Sequence, residues 1–177
     1  MRPLVQFVLA VSLACSALAT TLERLTLDEM IAKSTAIVRG KVLDSSTVQR
    51  GNVVYTIYRL QVTERLKGGT GPTTAEVYLP GGSLGGYRQS FAGTPQMDRG
   101  AEYVVFLWMS PKGIPQVVGL GQGVFDVRSS ASGETILSRG PLEAEVLAPS
   151  GQPITDQGLK LTMSRLRTAT AAAEAKK

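Results

Sequence analysis

Residues 81–85, with the sequence GGSLG, match the G-x-S-x-G pattern that surrounds the nucleophilic serine of many hydrolases. In those enzymes the serine stands on a sharp strand-to-helix turn, and a histidine accepts its proton. This sequence contains no histidine, and no serine stands three positions before a lysine, so a Ser–Lys pair does not supply the base. Residues 86–95 begin with glycine and end with proline, which disfavours the required helix. We therefore predict that Ser83 is not catalytic and that the protein is not an enzyme.

The overall composition argues against metal, cofactor and nucleic-acid chemistry. Zinc sites draw mainly on histidine and cysteine, and the chain has no His and a single Cys. The glycines around Ser83 lack the Gly-Lys-Ser/Thr sequence of a phosphate-binding loop. The net charge is +5, but Lys and Arg are scattered rather than grouped, so no nucleic-acid groove is indicated. We predict no metal, no cofactor and no nucleic-acid partner.

The N-terminal segment has the features of a secretory signal peptide, namely a basic residue, an apolar run and a small-residue cleavage site. Arg2 precedes an apolar run over residues 4–18, and the segment ends in Ala-Leu-Ala. The run is too short to span a bilayer comfortably, which disfavours a membrane anchor. We predict cleavage between Ala19 and Thr20, no membrane span afterwards, and one exported domain, periplasmic or extracellular, over residues 20–177.

The only cysteine, Cys15, lies within this N-terminal segment. A lipoprotein site usually carries leucine three residues before its cysteine, and Ser12 occupies that position, so we do not expect lipidation. The mature chain then contains no disulfide, and its hydrophobic core alone must stabilise the fold.

The pattern along the mature chain is mainly β. Thr26 and Glu29 form a capping box, which predicts a short helix from Leu27 to Lys33. Runs rich in β-branched and aromatic residues, broken by Gly and Pro, predict consecutive strands. Gly40, inside the first run, predicts a bulge or a close backbone approach. The predicted strands cover residues 36–49, 53–66, 74–80, 102–109 and 115–127, with a short edge strand at 134–138.

Near the C-terminus, apolar residues recur at helical spacing. They predict an amphipathic helix over about residues 155–172, which starts at Thr155 or Asp156 and packs on its own domain. Consecutive strands without alternating helices, with a helix at each end, predict a small OB-like β-barrel of five or six strands over about residues 35–138. The residues of the helical stripe are Leu159, Met163, Leu166, Thr170 and Ala173.

Four segments carry a resemblance to known proteins: STAIVRGKV (34–42), YTIYRLQVTERLKG (55–68), LPGGSLGGYRQSFAGTPQMDRGAEYVVFL (79–107) and VVGLGQGVFDV (117–127). In this order they resemble a family of uncharacterised exported bacterial proteins. More remotely, they are similar to the OB-like barrel of netrin-like domains and tissue inhibitors of metalloproteinases. Those inhibitors hold the protease zinc through an N-terminal Cys and contain disulfides, whereas Thr20 is the expected N-terminus here. The resemblance therefore implies the fold rather than that inhibitory mechanism.

The glycine-rich loop over residues 81–99 is the main candidate for ligand contact. In OB-like barrels, loops and one sheet face carry ligands. Tyr87, Arg88, Gln89 and Phe91 offer aromatic, cationic and amide groups that suit recognition, although Phe91 has a competing interpretation as a buried plug. We expect an exported, non-enzymatic domain that binds a protein, peptide or glycan outside the cytoplasm.

Three alternative functions each predict a different observation. The netrin-like resemblance suggests an extracytoplasmic protease inhibitor as one alternative, and its sign would be a neighbouring gene for an exported metalloprotease, which would be the partner. A structural envelope component would carry a large exposed apolar patch. An enzyme that uses carboxylates would have a pocket with two facing Asp or Glu side chains.

Overall fold

The computed structural model describes residues 21–176, so the predicted signal peptide and its cleavage site at Ala19 and Thr20 lie outside the described residues. The chain is 49% strand and 15% helical, which confirms the mainly β prediction. Two α-helices are present in the described part, α1 (Leu27–Lys33) and α2 (Met163–Glu174), with a short 3-10 helix at Leu120–Gly123. The strands are β1 (Thr21–Glu23), β2 (Ala36–Arg50), β3 (Val53–Lys67), β4 (Thr74–Pro80), β5 (Gly82–Leu84), β6 (Tyr87–Gln89), β7 (Glu102–Met109), β8 (Pro115–Val117), β9 (Val124–Ser129), β10 (Thr135–Arg139), β11 (Glu145–Leu147), β12 (Pro153–Ile154) and β13 (Leu159–Thr162).

One large sheet organises the molecule. It contains eight strands in the order β13-β10-β9-β7-β2-β3-β4-β8, which is more than the five or six predicted. Strand β8 also pairs with β7, so β2, β3, β4, β8 and β7 are joined in a closed cycle of pairings. The prediction of an edge strand at residues 134–138 is wrong, because β10 lies between β9 and β13. Two small sheets, β1-β11-β12 and β5-β6, complete the described topology.

Strands β2 and β3 form a long antiparallel hairpin. Its turn is made by Gly51, whose φ is +60°, and Asn52. The register shifts next to Gly40, where a Cβ atom would lie 2.8 Å from the carbonyl oxygen of Gln61. The predicted bulge at Gly40 is therefore confirmed, and only glycine permits this approach of the two backbones.

The large sheet is buried on both faces. Neighbouring residues Ile37 and Val38 of β2 are both fully buried, yet they belong to two different hydrophobic clusters. Side chains alternate across a strand, so the clusters lie on opposite sides of the sheet. Helix α1 contributes Met30 to one of these clusters, and α2 contributes Leu166 to the same one. The two helices therefore cover one face of the sheet.

The capping box that predicted α1 is present. The backbone N–H of Glu29 donates to Thr26 Oγ1 at 3.2 Å, and the backbone N–H of Thr26 donates to Glu29 Oε2 at 2.7 Å. The backbone N–H and the hydroxyl of Thr26 both donate to the Glu29 carboxylate, and these two bonds hold the pKa of Glu29 below its usual value. Helix α1 spans Leu27–Lys33, as predicted.

The predicted start of the C-terminal helix at Thr155 or Asp156 is wrong. Residues Leu159–Thr162 form strand β13, and α2 begins at Met163 with Thr162 as its N-cap. Strand β13 pairs with β10, and this tertiary pairing overrides the helical spacing. The rest of the stripe is as predicted, because Met163, Leu166 and Thr170 are buried and Ala173 is half-buried. Neither this helix nor α1 has the length and apolar character that a membrane span requires.

Gln122 fixes the N-terminal end of the described chain. The predicted strand over residues 115–127 is interrupted, because the 3-10 helix separates β8 from β9. Gln122 lies in this 3-10 helix and is buried, and its Nε2 donates to the carbonyl oxygen of Glu23 at 2.9 Å. Its Oε1 accepts a hydrogen bond from the backbone N–H of Leu25 at 2.8 Å. One side chain thus replaces two of the backbone bonds that an adjacent strand would make.

Candidate functional site

Strands β5 and β6 form a small exposed hairpin, which we call the 82–89 hairpin. Its register pairs Leu84 with Tyr87, so the turn consists of Gly85 and Gly86 alone. Their φ angles are +58° and +80°, as the common two-residue hairpin turns require. The turn needs two residues with positive φ, and glycine adopts that conformation without strain.

The base of the hairpin is attached to β3. The backbone N–H of Gly81 donates to the Val54 carbonyl oxygen at 2.6 Å, and Thr56 Oγ1 donates to the Gly81 carbonyl oxygen at 2.8 Å. The backbone N–H of Val54 donates in turn to Gln89 Oε1 at 2.8 Å. A Cβ atom at Gly82 would lie 2.7 Å from Thr56 Oγ1, so the glycine allows the hairpin to sit directly on β3.

The four predicted contact residues divide into two groups. Tyr87 and Arg88 are exposed on β6. Gln89 is half-buried, and its amide bonds to the backbone of Val54 and Asn52, so it supports the hairpin. Phe91 is half-buried and lines a cavity of about 180 Å³ between the hairpin and the sheet. It is therefore neither a fully buried plug nor a fully exposed contact residue. Tyr87 and Arg88 are thus the most accessible of the four residues.

Ser83 lies in β5, directly across from Arg88. It is exposed, and it stands in a strand of a two-stranded hairpin rather than on a strand-to-helix turn. The geometry that activates serine in a G-x-S-x-G hydrolase is therefore not formed at this position.

A second concave site was not predicted from the sequence. This cleft has a volume of about 450 Å³ and is lined by residues 93–96, by residues 140–143 and by Tyr103, Asp126 and Arg139. We call it the Arg139 cleft. Thr94, Pro95 and Gln96 also line the cavity beneath the 82–89 hairpin, so the two sites share a wall.

A buried ion pair forms one side of the Arg139 cleft. Arg139 Nη1 and Nη2 donate to the two carboxylate oxygens of Asp156 at 2.5 and 3.1 Å, and the side chains are only 8% and 5% exposed. The backbone N–H of Leu142 donates to the same carboxylate at 2.9 Å. Burial raises the pKa of Asp156, but the hydrogen bonds and charge of Arg139, together with the backbone N–H groups of Leu142 and Gly158, outweigh burial and hold this pKa below its usual value. The Asp156 carboxylate is thus ionised at neutral pH, and its bonds to Arg139 and Leu142 hold the 139–142 segment.

Two carboxylates in the cleft have no such partner. Asp126 is half-buried and Glu143 is exposed. Neither side-chain carboxylate accepts a hydrogen bond from another described residue or forms an ion pair with one. Beside them the Tyr103 hydroxyl accepts a hydrogen bond from the Asp98 backbone N–H at 2.9 Å. Burial raises the pKa of Tyr103, and the charges of Asp98 and Asp126 add to the rise, so the phenol stays protonated at neutral pH.

Two residues of the Arg139 cleft also contain buried polar atoms that lack a hydrogen-bond partner. Across residues 21–176, two buried side-chain polar atoms have no hydrogen-bond partner, and they are Thr94 Oγ1 and Arg139 Nε. Both residues line this cleft. Over the same range no group of three His, Cys, Asp or Glu side chains is arranged to hold a metal ion. Residues of the cleft thus contain two polar atoms that are buried without partners, and the described residues around it form no cluster suited to a metal ion.

Sequence reasoning missed this cleft because its parts are far apart in the chain. Asp126 and Glu143 stand in separate elements, and no spacing pattern relates them to Thr94. A signal for the 82–89 hairpin was present, since a Gly-Gly pair between two short runs is a hairpin pattern.

Comparison with known proteins gives no assignment for this fold and these two sites: no protein-family model matches the chain, and no curated protein matches its sequence.

Proposed function

We propose that this protein is an exported, non-enzymatic binding domain that contacts a partner protein through the 82–89 hairpin. The observation that carries the proposal is the placement of its exposed apolar side chains. Among the described residues the large hydrophobic side chains that are exposed are Leu84, at 38%, Tyr87, at 60%, and Met109, at 51%. Leu84 and Tyr87 are cross-strand partners in the hairpin. Two of these three exposed side chains thus lie next to each other on one small element.

The chemistry of the hairpin suits a protein interface. Tyr and Arg are enriched at the centres of such interfaces and carry much of their binding energy. Tyr87 and Arg88 are neighbours in β6, and register pairing places the aromatic ring beside Leu84. The hairpin is also held to β3 by the hydrogen bonds of Gly81 and Gln89, so little order is lost when it binds.

An OB-like barrel is the scaffold that we propose for this hairpin. The closed cycle of pairings among β2, β3, β4, β8 and β7 supports it, since closure of a five-stranded sheet is the defining feature of that fold. In this scaffold the hairpin lies in the connection between β4 and β7, where variation of a loop leaves the sheet intact.

The binding proposal is tested by capture and affinity. Residues 20–177 are used as bait in an envelope extract, the captured partner is identified by mass spectrometry, and the affinity for the purified partner is measured. Replacing both Tyr87 and Arg88 by Ala should weaken binding by at least about thirtyfold, because a central interface residue contributes about 2 kcal/mol or more. Unchanged affinity in this variant would refute the role of the hairpin.

A matched control uses an exposed hydrophobic side chain and an exposed arginine away from the hairpin. Replacing Met109 and Arg128 by Ala should leave the affinity and the melting temperature near those of the wild type. Identification of the captured partner as an exported protease whose activity is blocked would favour the inhibitor alternative.

Export is tested separately. Mass spectrometry of the protein from its native host should give Thr20 as the N-terminus, since cleavage follows the small residues before it. An intact Met1 in the soluble fraction would contradict export.

A further inference from the structure

We propose that the outer edge of β2 over residues 44–50 pairs with the same edge of a second copy of this chain, which joins two molecules through one antiparallel sheet. On this side β2 pairs with β7 only over residues 36–41, and Val42 then bonds to the backbone of Gly100 and Ala101. Beyond Val42, no described strand pairs with β2 on the side away from β3. The proposal goes beyond the contact made by the 82–89 hairpin, because it concerns a different surface and a different partner.

The direction of the backbone groups at this edge follows from the pairing of β2 with β3. Val54 lies opposite Gln49, but its N–H donates to Gln89 Oε1 and its carbonyl oxygen accepts from the N–H of Gly81. Val54 therefore points both backbone groups away from β2. Residues opposite each other in an antiparallel pair either exchange both hydrogen bonds or exchange none, so Gln49 points its own groups away from β3.

Three residues thus present unpaired backbone groups at this edge. Hydrogen-bonding direction alternates along a strand, so Ser45 and Thr47 point the same way as Gln49. The outward N–H and C=O groups of these residues bond to no other described residue. Residues 44–50 contain no proline, lysine or register shift, which are devices that protect sheet edges in many proteins. The edge is therefore open to another strand.

The sequence of the edge is complementary to itself. In an antiparallel pair of two copies centred on Thr47, the two Thr47 residues face each other, Ser45 faces Gln49, and Asp44 faces Arg50. Residues with outward backbone groups then meet only residues of the same kind, so all of these groups are bonded. The same register places an acidic side chain opposite a basic one at both ends of the seam, and such cross-strand pairs are stabilising.

The charged residues at the two ends of the edge are accessible for these contacts. Arg50 is exposed and forms no ion pair with another described residue. Asp44 contacts Arg59 through one carboxylate oxygen, and its side chain is 46% exposed. A seam this short is small compared with the interfaces of permanent dimers, so we expect a weak dimer whose population depends on concentration.

The first test measures self-association of residues 20–177 by sedimentation velocity from about 10 µM to about 1 mM, the range in which weak dimers form. The monomer should convert to a dimer as the concentration rises. Over the same range, hydrogen exchange measured by NMR should slow at the amides of Ser45, Thr47 and Gln49, because these are bonded only in the dimer. A monomer throughout, or a dimer in which these amides exchange as in the monomer, would overturn the proposal.

Charge variants test the register. Arg50→Asp makes both ends of the edge acidic and Asp44→Arg makes both basic, so each variant should dimerise at least about tenfold more weakly than the wild type. An equimolar mixture of these two variants restores opposite charges at every contact and should form a heterodimer. Arg128→Asp reverses an exposed arginine on β9 and should leave dimerisation unchanged. Failure of the mixture to associate, or equal weakening by Arg128→Asp, would overturn the pairing.

A proline variant separates self-pairing from the contact made by the hairpin. Ser45→Pro removes an N–H that points away from β3, a position at which an edge strand tolerates proline, so the fold should be kept and dimerisation lost. Because Tyr87 and Arg88 are unchanged, capture of the partner protein should persist, and the two proposals fail separately. If the protein alone stays monomeric and Ser45→Pro abolishes capture, the edge accepts a strand of another protein, and self-pairing is overturned.

Discussion

Removal of the Asp156 carboxylate should destabilise the protein severely. The Asp156→Ala variant leaves the Arg139 guanidinium, whose side chain is 8% exposed, without its two hydrogen bonds to a counter-ion. Removing one partner of a buried ion pair lowers the free energy of unfolding by about 3–5 kcal/mol, because an uncompensated charge remains in a poorly solvated site. For a domain of this size the melting temperature should fall by about 6–20 °C. Urea denaturation followed by circular dichroism measures the loss directly.

The chain contains a matched control for this experiment. Arg167 and Glu64 also form a two-bond arginine–carboxylate pair, but their side chains are 53% and 28% exposed. Glu64→Ala should therefore cost under about 1 kcal/mol, as other solvated pairs do. Similar losses of unfolding free energy in Asp156→Ala and Glu64→Ala would refute the argument that the burial of the ion pair determines how much stability is lost.

The pair of Arg139 and Asp156 also predicts how the stability of the protein depends on pH. The pKa of Asp156 lies below its ordinary value in the folded protein, so the folded state binds fewer protons at this group than the unfolded chain does. Its contribution to the free energy of unfolding is complete above about pH 4 and is lost as the pH falls through the lowered pKa. The stability difference between wild type and Asp156→Asn should therefore shrink below about pH 4. A difference that stays constant down to pH 2 would contradict this assignment.

Three further predictions concern packing and backbone geometry. Leu166→Ala should cost about 2–5 kcal/mol in urea denaturation, whereas Arg165→Ala on the exposed face of α2 should cost under about 0.5 kcal/mol; equal losses would mean that α2 does not pack on the sheet. Gly82→Ala, at φ +140° and against Thr56, should cost about 1–3 kcal/mol and impair partner capture, and Gly85→Ala, at φ +58° with free space, should cost about 1 kcal/mol; the reverse order would contradict the close approach to β3. Thr26→Ala should cost about 1 kcal/mol through loss of the capping box, and no change in the melting temperature would show that the cap is dispensable.

Features that depend on neighbours in sequence were predictable. The Thr26–Glu29 capping box fixes α1 through hydrogen bonds three residues apart, and the structure contains both of them. The strands predicted at residues 36–49 and 53–66 match β2 and β3 closely, since both carry the β-branched and aromatic residues that fit a sheet.

The start of α2 was not predictable from periodicity alone. Leu159 and Met163 are spaced as in a helix, but Leu159 and Leu161 are spaced equally well for a strand. The open edge of β10 decides between them, because β13 satisfies its backbone groups. Gly158, with φ +76°, turns the chain just before the strand, and a Cβ there would lie 2.5 Å from the Arg139 carbonyl oxygen.

The Arg139 cleft depends on tertiary contacts that no local pattern encodes. Arg139 and Asp156 are 17 residues apart and meet only because β10 and the segment before β13 are brought together. Thr94 joins them from the loop before β7. Glu143 is exposed, and only the fold brings it to the cleft.

The attachment of residues 21–25 by Gln122 has a consequence for the order in which the chain can acquire its structure. The partners of this segment are remote, since Leu25 bonds to a side chain 97 residues later and Thr21 to one 124 residues later. A polypeptide emerges from a ribosome or a translocation channel with its N-terminus first. Residues 21–25 therefore emerge long before their partners and must wait until β11 has emerged, and closure of so long a loop slows folding. A factor that shields the early segment during this interval would act on the folding yield without altering the final structure.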